Sequence, residues 1–180
     1  MPLLRTAPLG EDNAAPGTMF PRRIAAVLSR GMAADIVIRR LGPNERADWE
    51  PLWRAYLEFY RTSVPPQVYD VTWARLNDPD EPMKLLGAFA DGVLCGIVHY
   101  VYHRSCWTVG DYCYLQDLFV TETARKHGVG RALIEAVCRE AREAGASRVH
   151  WLTHESNATA RALYDSLAER SGFIQYRRLF

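Results

Sequence analysis

Residues 112–134 constrain this chain more than any other stretch. Tyr112–Val120 is an apolar run of strand length, and Gln116-Asp117-Leu118-Phe119-Val120 closes it. Arg125-Lys126-His127-Gly128-Val129-Gly130-Arg131 follows as a basic loop with two glycines. Leu133, Ile134, Val137, Cys138 and Ala141 then recur on one face of a helix over 129–144, which Gly145 ends. A strand, a glycine loop and a helix in that order bring backbone N–H groups, a helix N-terminus and arginine charge to one point. A pyrophosphate is the natural occupant of such a point.

The rest of the sequence frames this unit. Asp35–Arg39 reads as a first strand. Asn44 reads as the cap of a helix over Glu45–Phe59, in which Trp49, Leu52, Trp53, Tyr56 and Phe59 recur at helical spacing. Val64-Pro65-Pro66 ends it, and a second helix is expected over Gln67–Leu76. Met83–Ala90 and Val93–His103 flank Asp91-Gly92, a strong hairpin signal. Further strands are expected over Arg148–His154 and Phe173–Phe180, with a helix over Ala158–Arg170 started from Asn157. Two helices, a three-stranded meander and a strand–helix–strand–helix–strand tail predict an α+β fold with a mixed sheet. Residues 1–34, broken by Pro2, Pro8, Pro16, Pro21, Gly10 and Gly17, read as a loosely structured extension. Residues 35–180 read as one domain, since 180 residues with 48% hydrophobic content suffice for one core.

Composition narrows the function classes. A net charge of +1 gives no global field toward nucleic acid or a membrane surface, so neither is expected as a partner. No apolar run approaches the roughly 20 residues that span a bilayer. Cys95, Cys106, Cys113 and Cys138 match no zinc spacing; they read as reduced core thiols of a cytoplasmic protein, and no metal is expected.

Rival glycine motifs fail. Leu133 stands where a dinucleotide fingerprint needs its third small residue. Gly130-Arg131-Ala132 is not the Gly-Lys-Ser/Thr of a Walker loop. What remains is Arg-x-x-Gly-x-Gly between a strand and a helix, which resembles the acyl-coenzyme A signature of the GNAT superfamily of N-acetyltransferases. Asn157, seven residues before Tyr164, resembles the family's second motif, and Ser171-Gly172-Phe173 its last turn. The 112–120 strand and the Trp151–Asn157 segment look most like the histone/polyamine acetyltransferase-like branch.

The resemblance implies a mixed, mostly antiparallel central sheet flanked by helices. It implies transfer of acetyl from acetyl-coenzyme A to a primary amine of a small molecule or a basic peptide side chain. The alternative is a non-catalytic acyl-coenzyme A sensor or interaction module. The implied cofactor-binding residues are Leu118, Phe119, Val120, Arg125, Lys126, His127, Gly128, Val129, Gly130, Arg131, Asn157 and Ala160. Tyr164 is the implied proton donor to the thiolate; its other reading is a core tyrosine. Gln116 occupies the position where relatives carry a glutamate base and cannot take a proton. Asp117 remains as the candidate base, although strict alternation turns it to the opposite face unless a bulge intervenes. His154 and Glu155 are weaker candidates. Trp53, Tyr56, Tyr60, Tyr69 and Trp73, with Glu50, Glu58, Asp70, Asp78, Asp80 and Glu81, read either as an acceptor wall or as ordinary core and solvated surface. Apolar residues in Tyr176–Phe180, together with the resemblance, imply a homodimer.

Overall fold

A computed structural model describes residues 35–180; the extension expected over residues 1–34 lies outside them. Among the described residues, five strands form one sheet in the order β1-β2-β3-β4-β5: β1 (Ile36–Arg39), β2 (Met83–Ala90), β3 (Val93–His103), β4 (Tyr112–Val120) and β5 (Arg148–His150). Only the β4–β5 pair is parallel. The β2–β3 hairpin turns on Asp91 and Gly92, both with positive φ (46° and 79°), the conformation of a two-residue turn that matches strand twist. Helix α1 (Arg46–Phe59) and α2 (Pro66–Asn77) cover one face of the sheet. Helix α3 (Val129–Glu143) covers the other, and α4 (Ala158–Tyr164) follows β5.

Strand alternation divides the core in two. Ile97, Phe89 and Leu94 meet Trp49, Trp53, Tyr69 and Trp73 on the α1/α2 side. Val98, Tyr100, Cys113 and Leu115 meet Val129, Leu133, Ile134 and Val137 on the α3 side. Trp49, Trp53 and Trp73 pack with ring centroids about 5 Å apart, anchoring α1 to α2.

Several expected details change. Asn44 caps nothing: it lies in a single 3-10 turn over Pro43–Glu45, and Glu45 accepts the Gly42 N–H at 2.7 Å. Arg39 holds the same carboxylate through two bonds of 2.9 and 2.7 Å, which ties β1 to the start of α1. β5 ends at His150 rather than His154, because β4 offers it partners only over Tyr112–Tyr114. α4 ends at Tyr164 rather than Arg170; the Ser166 hydroxyl takes the Leu163 carbonyl at 2.6 Å and turns follow. Cys106 is exposed and so is no core thiol, whereas Cys95 and Cys113 are buried. The sixth strand over Phe173–Phe180 is absent. A strand requires a neighbour, and no described segment of the chain pairs with this one, so Phe173, Ile174, Tyr176, Leu179 and Phe180 stand exposed.

Candidate active site

The site begins where the sheet opens. β4 and β5 pair over three residues and then part, leaving Gln116–Val120 with an unpaired edge on the β5 side. Thr121 donates its N–H to Cys95 on β3, so its main chain faces that strand. By alternation Leu118 and Val120 turn their N–H and C=O groups to the open edge, and Phe119 turns its own to β3. The Val120 carbonyl indeed points outward: Arg125 Nε donates to it at 3.2 Å. An amide-bearing chain laid along this edge finds backbone partners in place.

The basic loop lies at the end of that edge. Lys126 and Gly128 have φ of 66° and 80°, left-handed conformations that fold the loop so that successive N–H groups converge. Gly128 is the residue before α3, and space beyond its Cα is open for 4 Å. No side chain caps the helix, so the amides of Val129, Gly130 and Arg131 keep no intrahelical partner. This uncapped, open N-terminus fits a diphosphate. Gly130 packs toward Leu163 of α4 and Val120. The arginines are partly engaged elsewhere. Arg131 donates to Ser166 Oγ at 2.8 Å and approaches Glu135 at 3.7 Å; Arg125 approaches Glu122 at 3.8 Å. His127 is exposed. Asn157 caps α4, its Oδ1 accepting from Ala160 N at 3.2 Å.

On the α1 side of the sheet, tyrosines gather around one carboxylate. His99 stands opposite Asp117 and Tyr100 opposite Leu115, so Gln116 is an extra residue: a β-bulge. The bulge resets alternation. Leu115 faces α3 while Asp117, two residues on, faces α1 beside His99. On α1, burial first and then the nearby Asp117 charge push the Tyr56 phenol far above its ordinary value. Tyr114 rises for the same two reasons. Burial also raises Tyr60, while nearby Asn157 opposes the shift. Tyr164 packs edge-on against Trp151 at 5.5 Å and is pushed up to about 12, by burial first and by neighbouring Tyr60 second. Asp117, Tyr56, Tyr60, Asn157 and Tyr164, from β4, the α1 end and the α4 end, thus lie within electrostatic reach of one another, with Tyr56 and Tyr60 edge-on at 5.0 Å.

The sequence profile of the Acetyltransferase (GNAT) family matches residues 49–168. This chain belongs to the GNAT acetyltransferase family. It is similar to a D-amino-acid N-acetyltransferase of Saccharomyces cerevisiae, 40% identical over 147 residues that cover 79% of this chain and 90% of the yeast protein. An L-ornithine N5-acetyltransferase of Arabidopsis thaliana is 26% identical over 117 residues, 65% of this chain and 47% of that protein. Among solved structures, aminoglycoside N-acetyltransferase AAC(6')-Iy in complex with CoA superposes with a TM-score of 0.69 at 20% identity, covering 82% of this chain and 97% of that one. This GNAT protein is accordingly an N-acetyltransferase, and acetyl-coenzyme A is its acyl donor.

The remaining candidates of this acetyltransferase fall outside the pocket. His154 Nδ1 is bonded to Ser156 Oγ at 2.7 Å, and the Glu155 carbonyl accepts from Arg161. Trp53, Tyr69 and Trp73 are core. Of the acidic candidates, Glu50 pairs with Arg46 and Arg54, Asp70 with Arg46, and Glu81 with Arg75. Sequence reasoning missed His99, Trp49 and Tyr114. One signal was available: His99 is a polar residue in register with Ile97, on a face otherwise apolar.

Proposed function

We propose that this acetyltransferase acetylates the amine of a small molecule of amino-acid size by direct attack, with Asp117 receiving the amine proton and Tyr164 supplying one to the leaving thiolate. The observation that carries the reading is the bulge at Gln116, which turns Asp117 into the tyrosine pocket beside the unpaired edge of β4. An ammonium entering there meets a carboxylate and the faces of Tyr56, Tyr60 and Tyr114, a favourable setting for a cation. Bound acetyl-coenzyme A supplies the thioester carbonyl, at which the C–N bond forms and the C–S bond breaks. Asp117 takes a proton from the ammonium so that the nitrogen has a free pair. Leu118, through its outward N–H, holds the developing oxyanion. Tyr164 gives its proton to the departing sulfur and regains one from the proton the nitrogen sheds. The amides of Lys126 through Arg131 hold the diphosphate, and Leu118 and Val120 the pantetheine arm. Arg125 leaves the Val120 carbonyl as the arm arrives. Asn157 and Ala160, at the start of α4, wall the arm from the other side. The yeast relative, named for D-amino acids, supports the acceptor size.

The test is release of free thiol from acetyl-coenzyme A with a panel of D- and L-amino acids, polyamines and a basic peptide. Turnover is expected to be fastest with free amino acids. Tight binding of coenzyme A in calorimetry without thiol release from any amine would overturn transfer and leave a binding module.

The enzyme is also proposed to act as a homodimer in which the apolar C-terminal segments pair between subunits. Five exposed apolar side chains within residues 173–180 support this, because water is a poor setting for so many. Light scattering should return twice the 20.5 kDa chain mass and fall to one chain on truncation after Arg170. A full-length monomer removes the dimer.

A further inference from the structure

We propose that His99 is a positioning residue: it aims the Asp117 carboxylate at the acceptor amine, and Trp49 sets the tautomer in which it can do so. The proposal rests on the role given to Asp117 above. His99 is 3% exposed and Trp49 fully buried, so neither ring has water as a partner. The indole nitrogen of Trp49 can only donate, and it lies 2.8 Å from His99 Nε2. That ring nitrogen therefore carries a lone pair, and the imidazole proton sits on Nδ1. Nδ1 in turn lies 2.9 Å from Asp117 Oδ2. Indole, imidazole and carboxylate form a line of hydrogen bonds all running toward Asp117, each polarising the next.

The arrangement has a consequence for geometry. The opposite tautomer would set the Nδ1 lone pair against a carboxylate oxygen, and the carboxylate would swing away. Trp49 forbids that tautomer. Tyr56 of α1 lies close enough to Asp117 to feel its charge. The carboxylate is thus held from β3 through Oδ2, which leaves Oδ1 without a hydrogen-bond partner from His99. His99 and Trp49 touch neither cosubstrate edge; they act through Asp117.

A core histidine with satisfied nitrogens would show the same burial, so the test must separate packing from aim. His99→Leu keeps volume and removes the donor. It is expected to lower kcat by roughly 100-fold, the scale of a misplaced catalytic group, with the KM for acetyl-coenzyme A unchanged. His99→Asn places an N–H near the Nδ1 position and should restore most of kcat. His99→Gln places it near Nε2 and should not. In an Asp117→Asn background the His99→Leu change should cost nothing further. If Asp117→Asn alone keeps full activity, the catalytic reading of Asp117 falls. If Asp117→Asn is inactive while His99→Leu matches wild type, or Asn and Gln behave alike, only the positioning role falls. Long-range nitrogen–proton NMR on the wild-type protein is independent of any variant's folding: a proton on His99 Nε2 would overturn the proposal.

Discussion

Tyr164 illustrates how one side chain serves packing and chemistry together. Its ring packs on Trp151, and its phenol lies near enough to Tyr60 to be raised by it. Burial holds the phenol near 12, above its ordinary value near 10, so the proton stays in place at any working pH. A thiolate of pKa about 8.5 is the weaker base, so the transfer is uphill by itself and is completed only as the proton shed by the nitrogen refills the phenol. Tyr164→Phe is expected to lower kcat by about 100-fold, within the span of general-acid contributions. Its thermal midpoint should stay close to that of the wild type, since the ring contacts survive. Steady-state thiol release with a saturating amine measures this. A variant as fast as wild type would remove Tyr164 from the chemistry. Asp117 teaches a complementary lesson. Its identity was readable as a candidate base, but its direction was not, because a single extra residue in β4 decides which face it occupies.

At the scale of elements, the site consists of a strand that bends and a helix that starts without a cap. Deleting Gln116 would leave Leu115 and Asp117 on their present faces, because regular alternation then serves both. It would also remove the bend that a bulge introduces. The shortened chain should fold, close the gap between β4 and β5, and bind coenzyme A about tenfold more weakly, a change of about 1.4 kcal/mol. Calorimetry reads this directly, and wild-type affinity would show that the splay has another origin. Gly128 carries the second device. Its φ of 80° lies where L side chains are strained. Gly128→Val should destabilise the fold by about 1–2 kcal/mol and weaken coenzyme A binding by crowding the amides. Denaturant melts and calorimetry separate the two effects. The loop and helix were legible in the sequence because glycine spacing and helical periodicity are local. The bulge was not, because it exists only as a mismatch between two strands.

Across the whole molecule, buried tyrosines make stability fall in alkali. Burial holds both Tyr102 and Tyr164 near 12 in the folded protein, with smaller contributions from neighbouring groups. The unfolded chain releases these protons near pH 10. Between about pH 10 and 12 the unfolded state therefore binds fewer protons, and the folded state loses stability as pH rises. Below pH 10 their contribution is fully present. The urea midpoint should drop across that window, with the phenolate absorbance of these buried tyrosines rising only as the chain unfolds. Early ionisation of all tyrosines in the folded protein would contradict it.

The same scale marks the boundary between sequence and tertiary structure. Short-range signals were enough for the meander on Asp91-Gly92, the amphipathic α3, the basic glycine loop and the Asn157–Tyr164 step. Each depends on spacing within one segment, which a linear sequence records in full. The direction of Asp117, the Trp49–His99 line, the early end of β5 and the unpaired C-terminal segment were decided only on folding. Each depends on which residues lie across from one another between strands and helices far apart in the chain, and no local pattern encodes that register.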